Sequence, residues 1–373
     1  MANHRTLWWK NFTTVAAKAR RPARYALQLL LNEPSLRERL SDPDFLGPLW
    51  QLILPLLNPQ AVKVFLARPS NENESNDENC DWGHEMSHPE QNDILRPRLS
   101  HFFETLPRQV LDRLVKDDGE APIDSTVALL CEGLGLDAIV TRFLDFMEQR
   151  MAVNHLSAFL RQTPHMDTKT IEFWLAAILG CDKSALDAAI PNGPEIPVIA
   201  GLLDNNNDSE LNLESVLKPS NLFTSVLEAA PKDADSLLAT LIQPAPAASW
   251  RLEDFPHLAD EIENLRDVMQ QAVATGAVGV NALFHGAVGS GKTEMALTLA
   301  EACGLKAYRI RGTNNEGLAS GDQPLGDQPL GYLLAHGLLV RRRDSLLIFD
   351  EVEDVMECNN DFISFLLCGR PAS

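Results

Sequence analysis

Residues 279–304 read GVNALFHGAVGSGKTEMALTLAEACG, and their pattern decides the fold predicted for the C-terminal part of the chain. The apolar run Val280–Phe284 predicts a buried strand. A glycine-rich loop follows, and the apolar spacing after Lys292 predicts a helix that ends near Cys303, with Gly304 at its C-terminal cap. A strand, a loop and a helix in this order predict an α/β domain with a parallel sheet.

The loop in this stretch has the pattern G-x-x-x-x-G-K-T over Gly286–Thr293, which is the phosphate-loop pattern in its expected context. Glycines let successive backbone N–H groups turn towards an anion at a helix N-terminus. We expect Lys292 to reach phosphate oxygens and the hydroxyl of Thr293 to bind Mg²⁺. The predicted nucleotide-binding residues are Gly286, Gly289, Ser290, Gly291, Lys292 and Thr293.

A second motif, DSLLIFDEVED, spans Asp344–Asp354. Its apolar run Leu346–Phe349 predicts a short strand that ends in two acids. In phosphate-loop enzymes an acid at this position holds Mg²⁺, and we assign that role to Asp350. Glu351 is then placed to polarise an attacking water as a general base.

These motifs, together with WRLEDFPHLADEIENLRDVMQQA at Trp250–Ala272, resemble the first half of an AAA+ ATPase module. The likeness is to bacterial stand-alone AAA ATPases with a helical N-terminal region. It implies ATP and Mg²⁺ as cofactors, a homo-oligomeric ring and the remodelling of protein substrates. It also implies that Phe255–His257 lies near the adenine.

The resemblance covers 250–373 and predicts a partial domain. The sequence after Glu351 is too short for the sensor strand, the arginine finger and the helical lid of that family. The family's sensor strand lies between the phosphate-loop strand and the strand that ends at Asp350. Without it, we do not expect Asp350 to be held beside Thr293. The tandem repeat GDQPL-GDQPL, Gly321–Leu330, is interpreted as a lengthened surface loop.

The N-terminal part is predicted to be mainly α-helical. Residues 1–69 are predicted to be a helical region. Tyr25–Leu66 show helical apolar spacing, which prolines at 34, 43, 48 and 55 are expected to break into short helices. Residues 70–93 lack Lys and Arg and are rich in Asn, Asp and Glu, so we predict a disordered acidic linker. His84–His88 within it has the H-E-x-x-H spacing of zinc proteases, but this polar tract offers no apolar face for the helix that such a motif needs.

Residues 94–242 are predicted to be a second helical region. Thr170–Ile190 reads as a helix, a turn and a helix, and the apolar runs on either side of DNNND at 204–208 read as a hairpin. A winged-helix-like module is one interpretation of this order. Its recognition helix would carry one lysine and two aspartates, which favours protein docking over DNA reading. Residues 243–249 are predicted to be a Pro/Ala linker.

Composition limits the partners. The chain has 373 residues with 32 Lys and Arg against 52 Asp and Glu, a formal net charge of −20. This balance disfavours nucleic acid and anionic membranes, which both need a basic surface. Six scattered cysteines without a C-x-x-C pair predict reduced thiols in a cytoplasmic protein. The basic N-terminus is interpreted as an ordinary first helix, with an amphipathic transit peptide as the alternative.

The sequence therefore predicts a multidomain protein with a mainly α N-terminal part and a partial α/β phosphate-loop NTPase domain. Its predicted function is ATP binding and, in a complete module, ATP hydrolysis coupled to remodelling of protein partners. One alternative is a truncated, catalytically incompetent nucleotide-binding or interaction module. The weaker alternative is a DNA-associated regulator.

Overall fold

The computed structural model describes residues 8–67, 88–119, 122–165, 168–189, 213–216, 219–277, 280–287, 289–310, 327–339, 342 and 344–350. The chain divides into two compact units. The first unit comprises residues 1–127, 137–193 and 206–218, and the second comprises 128–136, 194–205 and 219–373.

The first unit begins with short helices whose boundaries follow the prolines. They are α1 (Ala17–Asn32), α2 (Pro43–Ile53) and α3 (Pro59–Leu66). Pro43 and Pro59 each occupy the first turn of their helix, behind the side-chain caps Asp42 and Asn58. Turns of 3-10 helix at Pro34–Ser41 and Leu54–Leu56 separate these helices.

One predicted break was wrong, because Pro48 lies inside α2. Proline removes one hydrogen bond from a helix interior. The loss is tolerated here because α2 is held by its packing, with Phe45, Leu49 and Trp50 fully buried.

Helix α1 contains the basic residues of the N-terminus, and three of them are buried. Arg20, Arg21 and Arg24 are 4–7% exposed. Arg21 donates to Asp145 at 2.9 Å, and Arg24 lies 2.9 Å from Asp118. The basic tract therefore forms part of the core of this unit, which agrees with an ordinary first helix.

The helices that follow in the chain are α4 (Leu95–Glu104), α5 (Arg108–Gly119), α6 (Ser125–Leu134), α7 (Ala138–Ala152), α8 (Asn154–Arg161), α9 (Thr168–Leu179), α10 (Lys183–Ala189) and α11 (Leu213–Val216). Most of the predicted acidic linker, and with it His84, lies outside the described residues. Its last part is ordered: Pro89–Gln91 forms a turn of 3-10 helix in which Glu90 is buried.

The predicted helix, turn and helix are confirmed as α9, Gly180 with φ +64°, and α10. The second arm of the predicted hairpin is wrong where it is described, because Leu213–Val216 is a helical turn. Leu213 is fully buried there, and its N–H faces the hydroxyl of Thr163 at 3.4 Å. The rest of that hairpin lies outside the described residues.

The second unit combines helices with a small sheet. Its elements are α12 (Asn221–Ala229), α13 (Ala234–Leu241), β1 (Ile242–Pro244), α14 (Ala259–Thr275), α15 (Lys292–Ala302), β2 (Lys306–Ile310), α16 (Asp327–Leu339) and β3 (Ser345–Ile348). Helix α15 and strand β3 lie where the sequence predicts them.

In the described residues the sheet has the order β1–β2–β3. β2 and β3 are parallel, with Lys306 opposite Ser345 and Arg309 opposite Ile348. β1 is antiparallel to β2 and starts the segment that was predicted to be a linker. Pro244 is compatible with a strand at the edge of a sheet, where its missing N–H costs no ladder bond.

The strand predicted at Val280–Phe284 is absent from the described sheet. Val280 is 47% exposed and Leu283 is 64% exposed. Phe284 packs against the small core of Phe255, Ile262 and Leu299. An apolar run forms a strand only where its backbone pairs with a neighbouring strand, so the composition of the run does not decide this element by itself.

The prediction that the GDQPL repeats form a lengthened surface loop is wrong for the second copy. The second copy enters helix α16, which begins at Asp327 and carries Pro329 in its first turn. Proline is compatible with the first turn of a helix, where the N–H has no intrahelical partner. The first copy lies outside the described residues.

Candidate functional site

The glycine-rich loop, residues 286–291, has a backbone that only glycine adopts readily. The φ angles of Gly286, Gly289 and Gly291 are +153°, +77° and +83°. Side chains with a Cβ rarely occupy this region. Within the loop the N–H of Ser290 donates to the carbonyl of Ala287 at 3.2 Å. Val288 lies outside the described residues.

The loop leads directly into helix α15. Gly291 is its N-terminal cap and offers no side-chain hydrogen bond to the first turn. The first N–H groups of a helix have no intrahelical acceptor, and the helix dipole adds partial positive charge at this end. A Cβ placed on Gly289 would meet nothing within 4 Å, so the loop has open space beside it. The start of α15 is therefore suited to an anion.

Lys292 is the first residue of α15, and its side chain turns back over the loop. Its Nζ atom donates to the carbonyl of Gly286 at 2.9 Å and to that of Ala287 at 3.2 Å. The ammonium group thus lies on the loop itself, at the N-terminal end of the helix.

Thr293 and Asp350 are in contact. The hydroxyl of Thr293 lies 3.0 Å from each carboxylate oxygen of Asp350. The expectation that Asp350 would not be held beside Thr293 is therefore wrong. Helix α15 packs against both β2 and β3, and this packing brings the start of α15 to the residues that follow β3. The carboxyl ends of parallel strands are where open α/β sheets bind ligands.

Glu351, the predicted general base, lies outside the described residues. Phe255, from the region expected near a nucleobase, is 2% exposed and packs with Ile262 and Leu299. A Cβ on Gly291 would lie 3.5 Å from the ring of Phe255 and 3.7 Å from that of Trp250. Two aromatic rings thus flank the last glycine of the loop.

Three residues of this site were missed from the sequence. Glu294, Thr298 and Glu301 bind the main chain of residues 248–250. They recur at i, i+4 and i+7, which places them along one face of α15. A polar stripe of this kind on a mostly apolar helix indicates that the helix binds another part of the chain. The sequence does not indicate which segment that is.

The donor set fits a magnesium-bound phosphate ligand. A hydroxyl and a carboxylate side by side are oxygen ligands of the kind that Mg²⁺ prefers. In the described residues no group of three or more His, Cys, Asp or Glu side chains could hold a metal on its own. Mg²⁺ commonly uses one or two protein oxygens together with substrate phosphates, so a sparse set is what such a site needs.

No protein-family model, no curated protein and no solved structure matches this chain. Among the helices of the described residues, none has the length and apolarity that crossing a membrane requires. The case for a function therefore depends on the chemistry of the loop, α15 and Asp350.

Proposed function

We propose that the second unit binds ATP with Mg²⁺ through a phosphate loop, as the first half of an AAA+-type ATPase module. The observation that carries this proposal is the contact of Thr293 with Asp350 at 3.0 Å, one residue from Lys292 at the start of α15. These two residues lie in motifs far apart in the sequence, and the sequence did not predict their contact.

Each residue has a defined role in this proposal. The glycines of the loop and the N-terminus of α15 bind phosphate oxygens through backbone N–H groups. Lys292 moves from the loop carbonyls to the phosphates, and Thr293 and Asp350 hold the metal. Magnesium supplies charge neutralisation of the phosphate oxygens. Glu351, which directly follows Asp350, would polarise the attacking water.

The arrangement of the sheet and α15 also supports this proposal, at the level of the fold around the loop. β2 and β3 are parallel, and α15 packs on both. A parallel pair covered by a helix that starts at a glycine-rich loop is the arrangement that phosphate sites use. By the resemblance, hydrolysis in a complete module would drive remodelling of protein partners by a homo-oligomer.

The proposal is tested by replacing the loop lysine. We predict that Lys292→Ala lowers MgATP affinity by at least about 100-fold, since a charge-assisted contact to phosphate and its neutralising charge are both lost. Isothermal titration with MgATP measures this directly. Lys306→Ala is the matched control, because Lys306 is an exposed lysine of the same unit that pairs with Asp344. Equal affinity for the parent and Lys292→Ala would refute the site.

A second function, nucleotide binding without turnover, is favoured by one observation. Val280–Leu283 is exposed and belongs to no strand of the described sheet, so that sheet lacks the strand that the sequence predicts before the loop. Steady-state ATPase measurements separate the two functions. Turnover that depends on Lys292 supports the ATPase, whereas tight MgATP binding without turnover supports a binding module.

DNA regulation is disfavoured by the helix after the turn at Gly180. Lys183 on α10 lies 2.7 Å from Glu172 and also pairs with Asp187. Its charge is therefore neutralised by the protein's own acids, and a recognition helix needs free basic or amide groups. Salt-sensitive binding to duplex DNA would contradict this conclusion.

A further inference from the structure

Glu294 places a carboxylate in the first turn of α15, next to Thr293. A carboxylate at this position interacts favourably with the helix dipole, but its free charge would repel an anionic ligand at the same end of the helix. The carboxylate is engaged by the protein. Its Oε1 atom accepts hydrogen bonds from the backbone N–H of Ser249 and, at 2.9 Å, from that of Trp250.

Two more residues of α15 hold the same segment. Glu301 accepts a hydrogen bond from the N–H of Ala248 at 3.0 Å. The hydroxyl of Thr298, a residue that is 4% exposed, lies 2.8 Å from the carbonyl of Glu294 and 3.3 Å from that of Trp250, so these two carbonyls share its one proton. We call Glu294, Thr298 and Glu301 the α15 clamp. It binds residues 248–250 along two turns of the helix.

The clamped segment is fixed at its other end by the sheet. The N–H of Ala245 donates to the carbonyl of Ala307 in β2 at 2.8 Å, directly after β1. Residues 245–250 therefore extend from β2, which binds Ala245, to the start of α15, which binds Trp250. Trp250 then packs on Phe255 with ring centroids 5.4 Å apart, and both rings lie against Gly291.

We propose that Glu294 is a positioning residue for the nucleotide site, acting through Ser249 and Trp250. By holding Trp250 and Phe255 against Gly291, it fixes the last glycine of the loop and the first turn of α15 in the conformation that receives phosphate. It contacts the main chain and not the ligand. This inference rests on the function proposed for the loop.

Hydrogen exchange without nucleotide tests whether the clamp exists. We expect Glu294→Ala to raise amide exchange in peptides that cover residues 248–250, because two N–H groups lose their acceptor. Glu294→Gln keeps an acceptor oxygen and should change exchange much less. Glu261→Ala is the matched control, an exposed acid on α14. Unchanged exchange in Glu294→Ala would overturn the clamp.

Nucleotide affinity tests the positioning role. We expect Glu294→Ala to weaken MgATP binding by about tenfold, within the range of typical coupling between sites. Glu294→Gln should stay within about threefold of the parent, since it restores the acceptor. If charge repulsion dominated, both variants would instead bind MgATP more tightly. That result, or equal weakening of both variants, would overturn the proposal.

The two measurements separate this inference from the proposed function. If the parent chain binds no MgATP, the proposed function fails and the positioning role falls with it, while exchange still decides whether the clamp is present. If the parent binds MgATP and Glu294→Ala shows faster exchange with unchanged affinity, the nucleotide site stands and the positioning role is refuted.

Discussion

Gly180 turns the chain between α9 and α10 and has two reasons to be glycine. Its φ of +64° is in the left-handed region. A Cβ there would lie 2.3 Å from Nε2 of Gln28, a side chain that is 5% exposed. The left-handed backbone and the close approach of the Gln28 side chain thus both disfavour a residue larger than glycine.

We predict that Gly180→Ala lowers the free energy of unfolding by about 1 to 2 kcal/mol from the backbone alone, with a further loss as Gln28 shifts. Urea denaturation followed by circular dichroism measures it. Gly119→Ala is the control, because a Cβ there meets nothing within 4 Å. A Gly180→Ala variant as stable as Gly119→Ala would contradict this account.

Glu148 on α7 carries a perturbed carboxyl group. Burial first, and then the charges of Asp124 and Asp145, raise the pKa of Glu148 from 4.5 to about 7. Gln149 and Arg21 oppose this shift. The folded state therefore holds the proton to higher pH than the unfolded state does.

Because the pKa of Glu148 is raised in the folded state, the native state binds more protons than the unfolded state between pH 4.5 and about pH 7. The free energy of unfolding therefore falls as the pH rises through this range. We predict that the parent loses on the order of 1 kcal/mol of its free energy of unfolding between about pH 5 and pH 8, and that Glu148→Gln removes this loss. The loss is small because the group is partly exposed, and solvent screens its interactions. Urea denaturation across that range measures it. The exposed Glu38→Gln control should leave the slope unchanged. A slope unaltered by Glu148→Gln would refute the assignment.

At the scale of single residues, the sequence indicated the loop glycines, Lys292, Thr293 and Asp350 as candidate site residues, because short local patterns require those residue types. It did not predict the contact between Thr293 and Asp350. It did not predict the burial of Arg20, Arg21 and Arg24. A basic tract reads as a solvated surface, and the acids that balance it lie far along the chain.

At the scale of elements, α1 depends on charges that it buries. Arg20, Arg21 and Arg24 all lie within 4 Å of Asp118, a side chain that is 1% exposed. Burial raises the pKa of Asp118 although Arg24 and Arg21 act against the shift. Taking such charges out of water costs free energy, and pairing offsets only part of that cost in many buried ion pairs.

Removing Asp118 takes away the one acid that all three buried arginines share, although Arg21 keeps Asp145. We predict that Asp118→Ala lowers the free energy of unfolding by about 3 to 5 kcal/mol, measured by urea denaturation. Asp112→Ala, an exposed acid on the same helix α5, is the control and should change stability by less than about 0.5 kcal/mol. An equally small effect of Asp118→Ala would show that the arginines are solvated.

The strands show the limit of local patterns. Val280–Phe284 has the composition of a buried strand, but its residues 280–283 are exposed, whereas Gln243 and Pro244, from a predicted linker, pair with β2. Strand formation depends on a neighbour, and the neighbour is distant in sequence. Helices such as α15 were predictable because their hydrogen bonds are local.

At the scale of the whole molecule, the chain divides into two compact units, and residues 219–242, which were predicted to belong to the helical region, fall in the second unit. The boundary between them was not predictable in detail, because residues 128–136 group with the later residues of the chain. The proposed nucleotide chemistry lies entirely within the second unit. The first unit contributes a helical core.

The central claim is that the loop and Asp350 form one magnesium–nucleotide site. The most direct test is the gain in ATP affinity on adding Mg²⁺, measured by titration for the parent, Asp350→Ala and the control Asp344→Ala. Asp344 lies at the other end of β3 and pairs with Lys306. The account predicts a magnesium-dependent gain in the parent and in Asp344→Ala that disappears in Asp350→Ala. The same gain in Asp350→Ala, or no ATP binding by the parent, would contradict it.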